Sequence, residues 1–330
     1  MSQELPECLG LQHKAEDFIG RAYPGYPIEI FTEHLDGSGF FSPRRLQRKA
    51  WIFVSIICQD FILSFAIVDA GYLGTAFTYV YDRNTNHFYE EKKDIPYAFA
   101  EEFRPSLQKS WRLEQGKQCW LVEPLTERQL ALYFRGEKLS FSATLSLTDQ
   151  GINVLAPAKD RPYHYTYKNQ ALAIEGQYKL HGKKHFFTND CASIDFSYGY
   201  PPRDTFWNWA SLLGYSKSGD AVGINLVSPF NDELENCLWF NGEVTLLGKA
   251  DFAYSKPMDK YNATIAVSGR QKLKIRFFPE GARKENTDLL LLKSQFTQVF
   301  GQFVAEYSKD ESKTIVIEGF GLLEEHHAFW

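Results

Sequence analysis

Short apolar runs separated by turn-forming residues recur along the whole chain, and this pattern constrains the fold most. Two of the clearest runs are Trp51–Cys58 and Phe61–Asp69, both rich in Ile, Val and Phe. Asp36–Gly39 and Thr148–Gly151 are typical of the turn residues between runs. Many short strands between turns predict a sandwich or barrel, whereas a parallel α/β fold needs amphipathic crossover helices at regular spacing. The chain lacks that spacing, so we predict an all-β protein.

Composition supports this prediction and narrows the classes of partner. Aromatic residues make up 16% of the 330 residues, and they suit a pleated, half-buried surface. The net charge is −5, and the one short basic run is Pro43–Lys49, so we predict no nucleic-acid partner. The start of the chain lacks the basic and apolar regions of a signal peptide. Five scattered cysteines without a C-x-x-C motif fit reduced thiols and predict a cytoplasmic location.

The most membrane-like stretch is Ala50–Phe77, but Gln59 and Asp60 divide it into two runs. A spanning helix needs about 20 apolar residues, and an Asp at its centre costs roughly 2.5–3.5 kcal/mol. Two buried strands joined by a hairpin at Gln59 and Asp60 fit the sequence better. We therefore predict no integral membrane span and leave contact with a membrane surface open.

Three segments are harder to assign. Ser294–Tyr307 places its apolar residues at helical spacing, although alternation also fits loosely and Gly301 weakens a helix. Cys8–Arg21 is compatible with a short helix. Leu155–Gln170, with two prolines and clustered aromatic residues, is the most loop-like stretch.

Two carboxylates and two imidazoles lie side by side at Glu324, Glu325, His326 and His327. On a strand, successive side chains point to opposite faces, so Glu324 and His326 would share one face and the other two the opposite face. The four could then not converge on one metal ion. A Glu–His pair on one face could transfer protons, while a polar strand end facing solvent is the structural alternative. We predict no metal site.

Trp207 and Trp209 are predicted to lie on one face of another strand. Two indoles on one face form either a wall of an apolar ligand cavity or a part of the core. Common catalytic and nucleotide-binding signatures, such as G-x-S-x-G, H-E-x-x-H and G-x-G-x-x-G, are absent. No motif therefore identifies a reaction or a cofactor, and we predict no cofactor.

Several motifs occur in a characteristic order along the second half of the chain. With the N-terminal stretch from Phe40 to Asp82, they resemble the bacterial and fungal family known as domain of unknown function 2804 over nearly the whole chain. More distantly, the chain is similar to tandem-lipocalin proteins such as carotenoid 1,2-hydratases, fungal Diels–Alderases and a fungal survival factor. The motifs are DFSYGYPPRDTFWNWAS (Asp195–Ser211), GINL (Gly223–Leu226), ENCLWFNGE (Glu235–Glu243), RFFPEGAR (Arg276–Arg283), QVFGQF (Gln298–Phe303) and GLLEEHHAFW (Gly321–Trp330).

The resemblance implies two lipocalin-like antiparallel barrel or half-barrel domains with few short helices. We expect an N-terminal segment (1–25), a first domain (26–190) and a second domain (191–330), and we expect QVFGQF to be a strand. Candidate catalytic residues are Glu324, His326 and Asp195. Candidate ligand-binding residues are Trp207, Trp209, Arg203, Asn225, Glu235 and Trp330.

Three functions remain open at this point. The first is binding of a hydrophobic small molecule, lipid or isoprenoid-like, in a barrel cavity. The second is a cofactor-independent hydratase, isomerase or cyclase acting on such a molecule, which needs an acid or base with a shifted pKa. The third is a structural or interaction module without a ligand.

Overall fold

The protein is an all-β protein with two compact units, Met1–Pro201 and Pro202–Trp330. This architecture is seen in a computed structural model, which describes residues 4–10, 12–30, 46–96, 106–158, 161–188, 190–289, 292–309 and 314–329. Short 3-10 helices at Ala15–Asp17 and Phe230–Glu233 interrupt the strands. The predicted all-β class is confirmed. Among the described residues, no helix has the length and apolar character needed to cross a membrane.

Unit 1 forms a nearly closed barrel from one large sheet. Its strands are β1 (Cys8–Leu9), β2 (Arg21–Pro24), β3 (Glu29–Ile30), β4 (Lys49–Ile57), β5 (Phe61–Asp69), β6 (Leu73–Asp82), β7 (His87–Pro96), β8 (Trp111–Gln115), β9 (Gln118–Thr126), β10 (Gln129–Arg135), β11 (Leu139–Ser146), β12 (Ile152–Ala158), β13 (Arg161–Leu180), β14 (Lys183–Phe187) and β15 (Cys191–Gly199). The sheet order is β7-β6-β5-β4-β15-β13-β11-β10-β9-β8, while β12 pairs with β13 and β2, and β14 pairs with β13. β1 and β3 form a separate parallel pair.

Strand alternation decides which side chains enter the core of unit 1. On β4, Ile52, Val54 and Ile56 belong to one large cluster of buried apolar side chains. Trp51 and Phe53 alternate with them and therefore point to the other face. The predicted hairpin between Trp51–Cys58 and Phe61–Asp69 is present as β4 and β5, which pair antiparallel.

Unit 2 is a half-barrel built from one antiparallel sheet. Its order is β19-β18-β17-β16-β24-β23-β22-β21-β20, so the last strand lies beside the first one of the unit. The strands are β16 (Asp204–Ser216), β17 (Ala221–Ser228), β18 (Cys237–Phe240), β19 (Glu243–Leu246), β20 (Ala250–Ala253), β21 (Ala263–Val267), β22 (Lys272–Leu289), β23 (Leu292–Ser308) and β24 (Thr314–Phe329).

The QVFGQF segment lies within strand β23, as the family resemblance implied and against its helical spacing. Gly301 allows β23 to lie very close to the neighbouring strand β22. A Cβ at this position would lie 2.1 Å from the backbone oxygen of Phe278, where β22 carries a bulge between Pro279 and Gly281. The glycine therefore serves a close approach of two strands, and apolar spacing alone cannot reveal such an approach.

Three local expectations differ from the structure. The described residues of Leu155–Gln170 do not form a loop, because 155–158 belong to β12 and 161–170 to β13, and these strands pair with each other. Cys8–Arg21 holds a short strand and a three-residue 3-10 helix. The division between the units lies after Pro201 and not at residue 190, because β15 pairs with β4 and β13 of unit 1.

Candidate functional site

The four polar residues near the C-terminus lie on the long strand β24, between β16 and β23. Glu324 is opposite Trp209 and Gln298, and His326 is opposite Trp207 and Phe296. Glu325 and His327 point to the opposite face of the strand. They share that face with Leu323, which belongs to the apolar core of unit 2. Glu324 and His326 therefore point away from that core.

Glu324 is buried and held by two side chains from the neighbouring strands. The indole Nε1 of Trp207 donates a hydrogen bond to Oε1 at 2.8 Å, and the amide Nε2 of Gln298 donates to Oε2 at 2.9 Å. Both carboxylate oxygens are thus oriented by N–H donors. Such fixed donors hold a buried carboxylate in one position, where it can serve as a hydrogen-bond acceptor.

His326 is half-buried between two aromatic rings. Its ring lies edge-on to Trp207, with centroids 4.3 Å apart, and edge-on to Phe296 at 5.2 Å. Its Nε2 shares a hydrogen bond with Ser294 Oγ at 2.9 Å. Burial, together with the charges of His327 and Arg283, lowers the pKa of His326 well below its usual value. The imidazole is therefore neutral at neutral pH, so one of its nitrogens is a hydrogen-bond acceptor.

These residues form one constellation, which we call the Glu324 cluster. It comprises Trp207, Ser294, Phe296, Gln298, Glu324 and His326. Trp207, Phe296 and His326 are half-buried, so part of each ring is accessible. Phe230 extends the aromatic surface, with its ring 5.3 Å from that of Trp207. The cluster combines an apolar surface with a fixed carboxylate and a neutral imidazole.

Sequence reasoning missed the residues that β22 and β23 bring to this face. Gln298 is almost fully buried on Glu324, and Arg283 lies opposite Gln298. The Arg283 guanidinium pairs with Glu285 at 2.8 Å and lies 5.2 Å from the centroid of the Phe296 ring. Once Ser294–Tyr307 is taken as a strand, its alternation places Phe296 and Gln298 on one face. The strand assignment of this segment could therefore have identified Phe296 and Gln298 as neighbours on one face.

Trp209 shares the face of Trp207 but lies deeper. Its Nε1 donates to Asn225 Oδ1 at 2.9 Å, and the Asn225 amide donates to the backbone oxygen of Glu235 at 2.9 Å. All three residues are buried. We therefore assign Trp209 and Asn225 to a buried network beneath the accessible rings rather than to the ligand surface.

The other candidate residues do not join this cluster. Arg203 is exposed, and its guanidinium lies over the Phe329 ring at 4.7 Å. Trp330 lies outside the described residues.

Asp195 belongs to unit 1, where it has its own partners on the face of the barrel turned away from the core. Its Oδ1 lies 2.5 Å from Lys168 Nζ and accepts hydrogen bonds from Trp51 Nε1 and Ser197 Oγ, both at 3.3 Å. His164, buried near Lys168 and Trp51, has its pKa lowered to about 3 by burial and by the Lys168 charge. Asp195 in unit 1 is thus, like Glu324 in unit 2, a carboxylate held by a tryptophan Nε1 and by a second nitrogen donor.

The family model for "Domain of unknown function (DUF2804)" matches residues 34–330, which is most of the chain. The chain belongs to this family. The resemblance inferred from the motif order is thereby confirmed. No curated protein sequence gives a significant match.

Solved structures share the fold of this DUF2804 protein at low sequence identity. Kievitone hydratase from Nectria haematococca is 14% identical with a TM-score of 0.57, and the match covers 92% of this chain and 97% of that one. CghA with Sch210972 is 10% identical with a TM-score of 0.58, covering 94% and 96%. Both matches extend over nearly the full length of the DUF2804 chain and therefore include both units.

Proposed function

We propose that the protein binds an apolar small molecule at the Glu324 cluster of unit 2. The observation that carries this proposal is the set of half-buried rings of Trp207, Phe296 and His326 around a carboxylate fixed by two N–H donors. Ligand sites are mostly apolar and contain a few polar groups that fix orientation. The apolar body of the ligand would pack on the rings, and a polar group would meet Glu324 or His326.

This location differs from the barrel cavity expected from the sequence. Glu324 and His326 lie on the face opposite the apolar core. Leu323 on β24 and Val299 on β23, which are paired, are the residues that point into that core. The inner face of unit 2 carries an apolar cluster that includes Leu323 and Val299, and next to it Glu325 contacts Tyr254 and Lys256. We therefore place the ligand on the outer face of the sheet.

The shared fold supports a small-molecule ligand without identifying it. One structural neighbour is named as a hydratase, and another was solved with the compound Sch210972. Lipid or isoprenoid-like ligands fit the aromatic surface by their chemistry, because large apolar groups bury well against aromatic rings. A cytoplasmic location, with five free thiols, is part of the same proposal.

The second candidate function is a cofactor-independent enzyme at the same cluster. The favouring observation is the neutral His326 imidazole, which shares a face with Glu324 two residues away. The Glu324 carboxylate would accept the proton from a bound substrate, while the neutral imidazole would orient the substrate by a hydrogen bond. General acid–base groups contribute about 10²- to 10⁴-fold in rate. In that case Glu324→Gln lowers turnover by a factor in this range and leaves ligand affinity nearly unchanged.

Competition between a fluorescent apolar probe and an apolar alcohol tests the binding proposal. Nile red bound to the protein is displaced with farnesol, and the dissociation constants are compared for wild type, Glu324→Gln and Glu325→Gln. Glu325→Gln is a matched control, because it removes the same charge from the opposite face of the same strand. Hydrogen bonds to charged groups contribute about 1.5–3 kcal/mol, so Glu324→Gln should weaken farnesol binding about 10- to 100-fold.

The control variant should bind farnesol like wild type. Trp207→Ala should also weaken binding, because it removes both a ring surface and the donor to Glu324. Equal affinities in wild type, Glu324→Gln and Trp207→Ala would contradict the proposed site. The absence of any Nile red or farnesol binding would contradict the proposed function itself.

A further inference from the structure

A second cluster in unit 1 repeats the arrangement of the Glu324 cluster, and we call it the Asp195 cluster; it comprises Trp51, His164, Lys168, Asp195 and Ser197. Asp195 lies on β15, the last strand of unit 1, and Glu324 lies on β24, the last strand of unit 2. In each unit that strand is flanked by the first long strand, β4 or β16, and by the long strand that precedes it in the sheet, β13 or β23. The two carboxylates thus have the same place in the sheet topology.

The register of the strands matches as well. Lys168 is directly opposite Asp195, as Gln298 is directly opposite Glu324. On the other side, Trp51 is opposite Ser197, two residues after Asp195. Trp207 is opposite His326, two residues after Glu324.

The same chemical bonds follow from this shared register. In each unit a tryptophan Nε1 on the first strand donates to the carboxylate. A nitrogen from the directly opposite residue binds the same carboxylate, as an ammonium in unit 1 and an amide in unit 2. A histidine ring lies against the same tryptophan, although His164 is on β13 and His326 is on β24. The histidine position therefore differs between the two units, while the tryptophan and carboxylate positions correspond.

Asp195 can reach a ligand. Its side chain is 13% exposed, and Trp51 beside it is half-buried. Within the described residues, the three donors that bind Asp195 all reach Oδ1, which leaves Oδ2 to accept a further hydrogen bond. Lys168, in contrast, is almost completely buried and serves to hold the carboxylate in place.

We propose that Asp195 is a second ligand anchor, equivalent to Glu324, and that both anchors select a neutral apolar molecule carrying a hydroxyl group. An ionised carboxylate is only an acceptor, so the ligand must provide the donor. A ligand carboxylate would bring a like charge to each anchor and is disfavoured. This inference rests on the proposed function, and it narrows the ligand class from apolar molecules to apolar alcohols.

Equilibrium dialysis with two matched probes tests the inference. Farnesol and farnesoic acid have the same carbon skeleton and differ in the hydroxyl and carboxyl group. The proteins are wild type, Asp195→Asn, Glu324→Gln, the double variant, and Asp60→Asn as a control that removes one carboxylate at an exposed turn of unit 1. Bound ligand per chain is measured at the lowest farnesol concentration that saturates wild type, where a site weakened about 100-fold stays largely empty, and circular dichroism verifies the fold.

Wild type and Asp60→Asn should bind two farnesol molecules per chain, each single site variant one, and the double variant none. Farnesoic acid should bind at least tenfold more weakly than farnesol to wild type at neutral pH. If Asp195→Asn does not fold because Lys168 loses its partner, Asp195→Asn combined with Lys168→Met replaces both charges, and the same loss of one molecule is expected.

Three results would overturn the inference while leaving the proposed function intact. Wild type could bind one farnesol, Asp195→Asn could keep the wild-type stoichiometry while Glu324→Gln loses binding, or farnesoic acid could bind as tightly as farnesol. If neither single variant alters farnesol binding, the proposed function at Glu324 fails as well.

Discussion

Glu91 on β7 holds the turn between β10 and β11, and removing its charge should destabilise unit 1. Its Oε2 accepts hydrogen bonds from Gln118 Nε2 and from the backbone N–H of Glu137. Its Oε1 accepts from the Tyr89 hydroxyl and from the backbone N–H groups of Lys138 and Leu139. One buried carboxylate thus links β7 to the far side of the sheet, which contributes to closing the barrel.

The size of the effect follows from these bonds. Glu91→Gln replaces one oxygen by an NH₂ group, which cannot accept a hydrogen bond. Whichever oxygen is replaced, at least one backbone N–H loses its acceptor, and such a buried group costs about 1–3 kcal/mol. The remaining bonds lose the assistance of the charge, which roughly doubles their strength. We expect a total destabilisation of about 2–4 kcal/mol.

The pH dependence has a definite sign. Burial raises the pKa of Glu91, but hydrogen bonds from Gln118 and from the N–H groups of Glu137, Lys138 and Leu139 lower it below its usual value overall. A carboxylate whose pKa is lower in the folded state stabilises the protein above the unfolded pKa, which is about 4.3. The difference between wild type and Glu91→Gln should therefore be largest near neutral pH and shrink as the pH falls through the folded pKa.

Urea unfolding followed by tryptophan fluorescence measures the destabilisation, and amide hydrogen exchange at residues 137–139 locates it. Glu137→Gln is the matched control, because its exposed side chain lies in the same turn. The control should change the free energy of unfolding by less than about 0.5 kcal/mol. If Glu91→Gln also falls within 0.5 kcal/mol of wild type, or if exchange at residues 137–139 is unchanged, the reasoning about this carboxylate is refuted.

Further predictions concern packing, the buried network and pH. Gly301→Ala should destabilise unit 2 by more than about 1 kcal/mol, because a Cβ would meet the backbone of β22 at 2.1 Å; a neutral result in urea unfolding would show that the strands separate easily there. Asn225→Ala should destabilise by about 1–3 kcal/mol, because it removes the acceptor of Trp209 Nε1, and it should leave farnesol affinity unchanged if Trp209 is not part of the ligand surface. Because the pKa of His164 is lowered to about 3, its contribution to stability is present above the unfolded pKa of about 6.5 and is lost as the pH falls from there towards 3. His164→Gln should reduce the slope of stability against pH in this interval, and an unchanged slope would contradict the assignment.

The all-β class was predictable because it depends on local patterns that repeat many times. Trp51–Cys58 and Phe61–Asp69 are strands at nearly the predicted bounds, since apolar runs between turn residues have few other solutions. The prediction of a loop at Leu155–Gln170 was wrong because it depended on two prolines and clustered aromatic residues, while pairing between β12 and β13 incorporates the described part of this segment into the sheet. Tertiary pairing overrides local propensity in such segments.

For the candidate site, the sequence predicts only which residues of a single strand share a face. Alternation placed Glu324 with His326 and Trp207 with Trp209, and the structure places these pairs in the same way. Which strands lie beside β24 depends on long-range pairing, so Gln298, Phe296 and Ser294 could not be assigned as its partners. The depth of Trp209 and the position of Arg203 likewise depend on packing that a single sequence does not encode in a readable pattern.

Photo-crosslinking with an apolar alcohol tests the central claim most directly. A farnesol analogue carrying a diazirine is bound to the intact protein, irradiated and mapped by peptide mass spectrometry. We predict labels on the outer face of unit 2, at or beside Trp207, Phe230 and Phe296, with loss of these labels in Glu324→Gln and retention in Glu325→Gln. Labelling confined to the apolar core positions of β23 and β24, such as Val299 and Leu323, would contradict the account, because it would place the ligand inside the half-barrel.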